Sequence, residues 1–131
     1  MNKIIKKIIY TNLAPEPIGP YSQAILVSNA TESTLYVSGQ IGLKNGVHVN
    51  ADIQAETHQV MQNMKFILEE AGMSFADVVK CGIFVKDMNN FVAINLIYGE
   101  YFSQNPPARE TVEVSRLPKD VNVEISCIAI K

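Results

Sequence analysis

Between Val121 and Ile130 the chain alternates in a way that constrains its fold more than any other feature. Val123, Ile125, Cys127 and Ala129 fall on one face of a strand, and Asn122, Glu124, Ser126, Ile128 and Ile130 fall on the other. The first face is apolar throughout, while the second sets two isoleucines beside a carboxylate. A strand of this kind needs apolar cover on both sides, so helices on one face of its sheet are not enough.

The preceding segment, Arg109–Leu117, also has period two. Val112 and Val114 take one face, and Arg109, Thr111, Glu113 and Ser115 take the other. A four-residue loop, Leu117–Asp120, predicts a hairpin between the two runs. In that hairpin the strands are neighbours, Arg109, Thr111 and Glu124 emerge on a shared face, and Glu113 lies across from Glu124.

Upstream, strand-like runs occupy Lys3–Tyr10, Gln23–Ser28 and Thr34–Ser38, and Asn45-Gly46 predicts a tight turn between Ile41–Leu43 and Val47–Val49. Asp52–Ala71 reads as a helix, with Ile53, Thr57, Val60, Met61, Met64, Ile67, Leu68 and Ala71 on one side and Gly72 ending it. Val78–Lys86 is a strand. Asn90–Phe102 is a second helix with Phe91, Ile94, Tyr98, Tyr101 and Phe102 inward, stopped by Pro106-Pro107. Two β–helix–β units with a hairpin at either end predict an α+β fold: a mixed sheet of about six strands with both helices on one face. Ile128 and Ile130 then remain on the uncovered face, where a second copy of the chain is the simplest cover.

The length of 131 residues describes a single domain, residues 1–131. No apolar run reaches the ~20 residues of a membrane helix. The start, MNKIIKKIIYTN, has neither the apolar core of a secretory signal nor the arginines of a transit peptide, so a first strand is the plainer reading. Lys3, Lys6 and Lys7 read as protection of a strand edge. A net charge of −2 argues against nucleic acid as the main partner. Cys81 and Cys127 lack CxxC spacing and sit in apolar runs, as buried, reduced thiols of a cytoplasmic protein do. His48 and His58 read as solvated surface residues without metal-ligand spacing, and no phosphate loop is present. Neither a metal nor a cofactor is expected.

Arg109 is the strongest candidate for chemistry, because its planar fork can hold a carboxylate through two charge-assisted hydrogen bonds. An ion pair with Glu110 or Glu113 is the structural alternative. Glu124, beside Ile128 and Ile130, is a carboxylate open to desolvation, which would suit it to proton transfer; Glu113 is the reserve. Tyr21 follows a tight Gly19-Pro20 segment and reads either as a cleft wall or as a cap on the core.

Several blocks resemble one family, in its order. They are Ala14-Pro15 with Ile18-Gly19-Pro20-Tyr21-Ser22-Gln23, Val37-Ser38-Gly39-Gln40-Ile41, Glu70-Ala71-Gly72, Phe84-Val85-Lys86-Asp87, then PPAR, RLPKDV and VEI near the end. Together they resemble the reactive intermediate deaminase (Rid, or YjgF) family from about Ala14 onward. The resemblance implies a homotrimer like the trimeric chorismate mutases, with ligand clefts between subunits. It also implies hydrolysis of 2-aminoacrylate and 2-aminocrotonate, released by pyridoxal-phosphate dehydratases, to 2-keto acids and ammonia. Arg109 matches the family's carboxylate-binding arginine and Glu124 its water-activating glutamate. Tyr21, Ser38 and Gly39 match pocket positions. Thr111 stands where many relatives have cysteine, and Glu110 where a small residue is usual. A non-enzymatic binder or chaperone-like regulator sensing small 2-keto carboxylates is the alternative, and RNA cleavage is a third reading that the acidic charge disfavours.

Overall fold

The computed structural model describes residues 3–131. Its strands are β1 (Ile5–Ile9), β2 (Ala24–Ser28), β3 (Ser33–Ile41), β4 (Leu43–Lys44), β5 (Val47–His48), β6 (Val78–Val85), β7 (Ala108–Glu113) and β8 (Val123–Ile130). Two α-helices, α1 (Ile53–Glu70) and α2 (Phe91–Tyr101), complete it with three short 3-10 turns. The main sheet has six strands in the order β1-β2-β3-β8-β6-β7, antiparallel except for the β6–β7 pair, and β4–β5 form a small hairpin of their own. This is the expected α+β architecture.

One expectation fails. β7 and β8 are not hairpin neighbours, because β6 lies between them. The chain leaves β7, passes through the Pro118–Asp120 turn and inserts β8 into the middle of the sheet, between β3 and β6. The reason lies in the two strands' side chains. β8 carries apolar groups on both faces and suits a central position, whereas β7, with Arg109, Glu110 and Glu113, suits an edge. In the connection, Leu117 and Val121 pack on Ile41 and Leu43 as a small second core.

The helices cover one face only. α1 begins at Asp52, whose side chain accepts from the Ala55 N–H at 2.7 Å, and it ends before Gly72, which adopts a φ of 75°. Its inner residues Val60, Met61, Met64, Ile67 and Leu68 are buried against Leu35, Ile83, Ile125 and Ala129 of the sheet. From α2, Ile94 and Tyr98 join the same core, with Phe102 just past its end, while Val92 and Leu96 face outward. The opposite face of the sheet is open and partly apolar: Ile8, Tyr36, Phe84, Val112 and Ile130 are all exposed. Among the described residues no helix is long and apolar enough to cross a membrane.

Leu35 lies fully buried between sheet and helices, so Leu35→Ala should cost about 2–5 kcal/mol of stability in denaturant unfolding. The same measurement on Leu96→Ala, at an exposed helix position, should show a change within about 0.5 kcal/mol.

Candidate functional site

The proposed site residues fall into two groups, held on opposite faces of the sheet. Arg109 sits beside Cys81 in the β6–β7 register, and Cys81 is fully buried on the helix side. The guanidinium accordingly lies under α2, with its central carbon 5.0 Å from the Tyr98 ring centroid and 5.7 Å from that of Phe91. These rings hold the cation by its face and leave its N–H edge for another partner. Among the described residues no carboxylate lies within ion-pair distance of it: Glu110 pairs with Lys80 at 3.3 Å on the open face, and Glu113 accepts from the Met88 N–H at 2.8 Å. A pocket of about 360 Å³ opens beside Arg109, lined also by Asn95, Tyr98, Gly99, Phe102 and Pro107.

Thr111 shares this row, next to Ile83. Its hydroxyl oxygen is buried without a hydrogen-bond partner, as is that of Tyr98. The Tyr98 hydroxyl stands against the Cys81 thiol without bonding geometry, and burial pushes both groups' pKa values up. Cys81 pairs in register with Cys127, and both are buried free thiols, as expected.

The second group gathers where β3 meets β8. Between Val37 and Gln40 the β3–β8 register shifts, and the irregularity places Ser38 and Gly39 against β8. The Glu124 side chain lies across Gly39 so closely that a Cβ there would be 2.6 Å from its carboxylate oxygen. A side chain at position 39 would displace the Glu124 carboxylate from where it lies. Burial raises the Glu124 pKa above the ordinary carboxylate value, favouring the neutral form. Ser38 uses its hydroxyl internally, donating to the Ser22 carbonyl at 2.6 Å. Tyr21 is half exposed beside Gly39, and its hydroxyl accepts from the Ile18 N–H at 3.1 Å, closing the Gly19-Pro20 loop.

Tyr21, Ser38, Gly39 and Glu124 therefore come together, and Arg109 and Thr111 come together, but one chain does not join the two sets. The shared face expected from a β7–β8 hairpin is absent because β6 separates the strands and puts Arg109 on the helix side. Glu113 is removed as the reserve carboxylate, since it lies at the sheet edge and holds the Met88 amide. His48 is not a solvated surface residue: its side chain is mostly buried, with Nε2 3.0 Å from Glu56, though the ring is turned away from good bonding geometry. His58 is half exposed and meets the Tyr101 hydroxyl at 3.0 Å. Among the described residues no cluster of three or more His, Cys, Asp and Glu could hold a metal ion.

Two contributors were missed in the sequence. Gln23 is almost fully buried; it accepts from the Thr11 N–H and donates to the Thr11 and Pro15 carbonyls, fixing the loop that presents Tyr21. Asn95, on α2, lines the Arg109 pocket. A larger hollow of about 390 Å³ between Asn12–Glu16 and the β4–β5 turn contains none of the candidate residues, so size alone does not mark the site.

Comparison with known proteins gives a consistent picture. The family model described as Endoribonuclease L-PSP matches residues 11–131. A RutC family protein of Pyrococcus horikoshii is 51% identical over 129 residues, 97% of this chain and 99% of that protein. A protein of Dermatophagoides farinae named 2-iminobutanoate/2-iminopropanoate deaminase is 46% identical over 127 residues, 95% of this chain and 96% of its own. Among solved structures, Escherichia coli TdcF with bound serine superposes with a TM-score of 0.86 at 38% identity, covering 95% of this chain and 98% of that one. The chain belongs to the Endoribonuclease L-PSP family, the YjgF/Rid family that its PPAR and RLPKDV motifs resemble, and the matched span of residues 11–131 includes both groups of site residues.

Proposed function

We propose that this protein is a 2-iminobutanoate/2-iminopropanoate deaminase that works as a homotrimer, with each site built from two neighbouring copies. The observation that carries the reading is the split site. An arginine without a carboxylate partner opens on one face of the sheet, and a desolvated glutamate waits on the other. A second copy docked on the open apolar face can bring its own Arg109 to the Glu124 group. The relative named as an imine deaminase, and the related structure holding serine, support a small carboxylate as ligand.

The chemistry follows from the residue types. Arg109 clamps the substrate carboxylate through a fork of parallel hydrogen bonds, while the neighbouring Thr111 hydroxyl lies buried beside it without a partner within the chain. The enamine tautomerises to its imine. Water held by Glu124 adds to the carbon of the N-protonated imine as Glu124 takes up one proton of the water, giving a neutral carbinolamine. Glu124 passes that proton to the nitrogen, and as the C–N bond breaks and ammonia leaves, the hydroxyl gives its remaining proton back to Glu124 and becomes the carbonyl of the 2-keto acid. Tyr21 walls the cleft, and Gly39 lets the carboxylate stand close to the backbone. No step calls for a metal or cofactor. General acid–base help of ~10²–10⁴-fold is a sufficient scale for a reaction that already proceeds in water.

The test couples a dehydratase to L-serine or L-threonine and follows 2-keto acid release. Wild type should accelerate it, and Arg109→Ala and Glu124→Ala should each remove the acceleration while remaining folded. Equal mixtures of the two variants, exchanged by mild unfolding and refolding, should recover about a quarter of wild-type activity, because one interface in four then pairs an intact Arg109 with an intact Glu124. No acceleration by wild type, with 2-keto acid binding that still requires Arg109, would make the protein a binder instead.

Ile128→Glu on the open face should lower the mass in analytical ultracentrifugation from trimer to monomer and remove activity with it. A trimer of unchanged mass would show that this face is not the interface.

Because burial raises the Glu124 pKa, the folded chain holds its proton to higher pH than the unfolded chain does. The stability cost of ionising Glu124 is absent below the ordinary carboxylate pKa and complete above the raised one. Glu124→Gln should therefore be more stable than wild type at neutral pH, with the difference vanishing as pH falls through the ordinary carboxylate range. In wild type kcat/KM should fall with acidification through the raised pKa, as the base becomes protonated.

A further inference from the structure

Glu56 is a fully buried carboxylate to which the chemistry above assigns no part. It lies in the first turn of α1, where the helix dipole favours a negative charge. Its oxygens accept from the Asn122 backbone N–H at 2.7 Å and from the Asn122 side-chain amide at 2.8 Å, and His48 Nε2 approaches within 3.0 Å. Gly42 packs directly on it: a Cβ there would be 2.8 Å from Glu56 Cγ. A carboxylate so enclosed is held by the groups it bonds, and removing them leaves a costly buried charge.

What Glu56 grips is informative. Asn122 immediately precedes β8, two residues before Glu124, and its own carbonyl accepts from the Lys86 N–H at 3.1 Å. Two turns along the same helix, Asn63 donates to the carbonyls of Ile41 and Leu43, both at 3.0 Å. Ile41 is the register partner of Glu124. α1 thus pins the backbone on both sides of the contact between Glu124 and Gly39.

We propose that Glu56 is a positioning residue for Glu124: by anchoring Asn122 it fixes the first residues of β8, so that the Glu124 carboxylate is held across Gly39. The inference rests on the reading of Glu124 as the water-holding group, but its structural half can be tested without any activity.

The experiment follows the Glu124 carboxyl carbon by NMR pH titration in the intact protein, beside the coupled deaminase assay. Glu56→Ala should release Glu124 to solvent and move its midpoint down toward the ordinary carboxylate value. The same variant should lower kcat about 10- to 100-fold with KM little changed, because Arg109 still binds. Glu56→Gln, which keeps an acceptor for the Asn122 N–H, should recover most of both properties. Asn122→Ala removes one of the two anchoring bonds at a partly exposed position; it should shift the midpoint in the same direction by less, and it decides the matter if Glu56→Ala does not fold. A Glu124 midpoint that moves in Glu56→Ala or Asn122→Ala, beside a wild-type protein without deaminase activity, would uphold the positioning role and sink the catalytic reading. An unmoved Glu124 midpoint in the folded variants overturns the proposal, whether or not the rate falls.

Discussion

The central placement of β8 is the constraint on which the rest of the structure depends. Its helix-facing row of Val123, Ile125, Cys127 and Ala129 is dry, and it supplies the surface on which α1 packs. Burying four such side chains contributes on the order of several kcal/mol, enough to decide where the strand goes. With β8 between β3 and β6, the polar β7 is displaced to the edge, and the arginine it carries is turned toward α2. The same choice sets Glu124 opposite the β3 irregularity at Gly39. Core packing and site geometry therefore have one cause.

Nearly every element was legible in the sequence, because each has a strong period of its own. The helix from Asp52 and the one from Asn90 lie within a residue of their expected bounds, and the inward stripe of α1 is as read. By the same alternation Glu110 falls on the face opposite Arg109, and there it pairs with Lys80. What alternation does not encode is which strand lies alongside. A period of two orders residues within a strand, and the short loop before Val121 fits a hairpin as well as it fits a step across the end of β6. The separation of Arg109 from Glu124 was therefore hidden, even though the residues themselves were identifiable.

The misreading of His48 has a different origin. Its ring lies against Glu56, and a glutamate near a helix start ordinarily reads as a solvated charge favoured by the dipole. Yet position 56 lies three residues after Ile53 and four before Val60, squarely in the apolar stripe of α1. A charged residue inside an inward stripe is the signal that was available, and it marks a polar connection through the core. Gln23 offered no comparable cue, since its loop has no periodicity against which a buried amide stands out.

The insertion of β8 also bears on how the chain is made. Every other strand of the sheet leaves the ribosome before it, so β3 and β6 emerge as facing edges with no strand between them. Until residues 123–130 arrive, those edges are unpaired backbone and α1 has no β8 to pack on. The sheet thus closes like a zip whose slider comes last, and a chain released before Val123 would lack the centre of its sheet rather than a trimming at its margin.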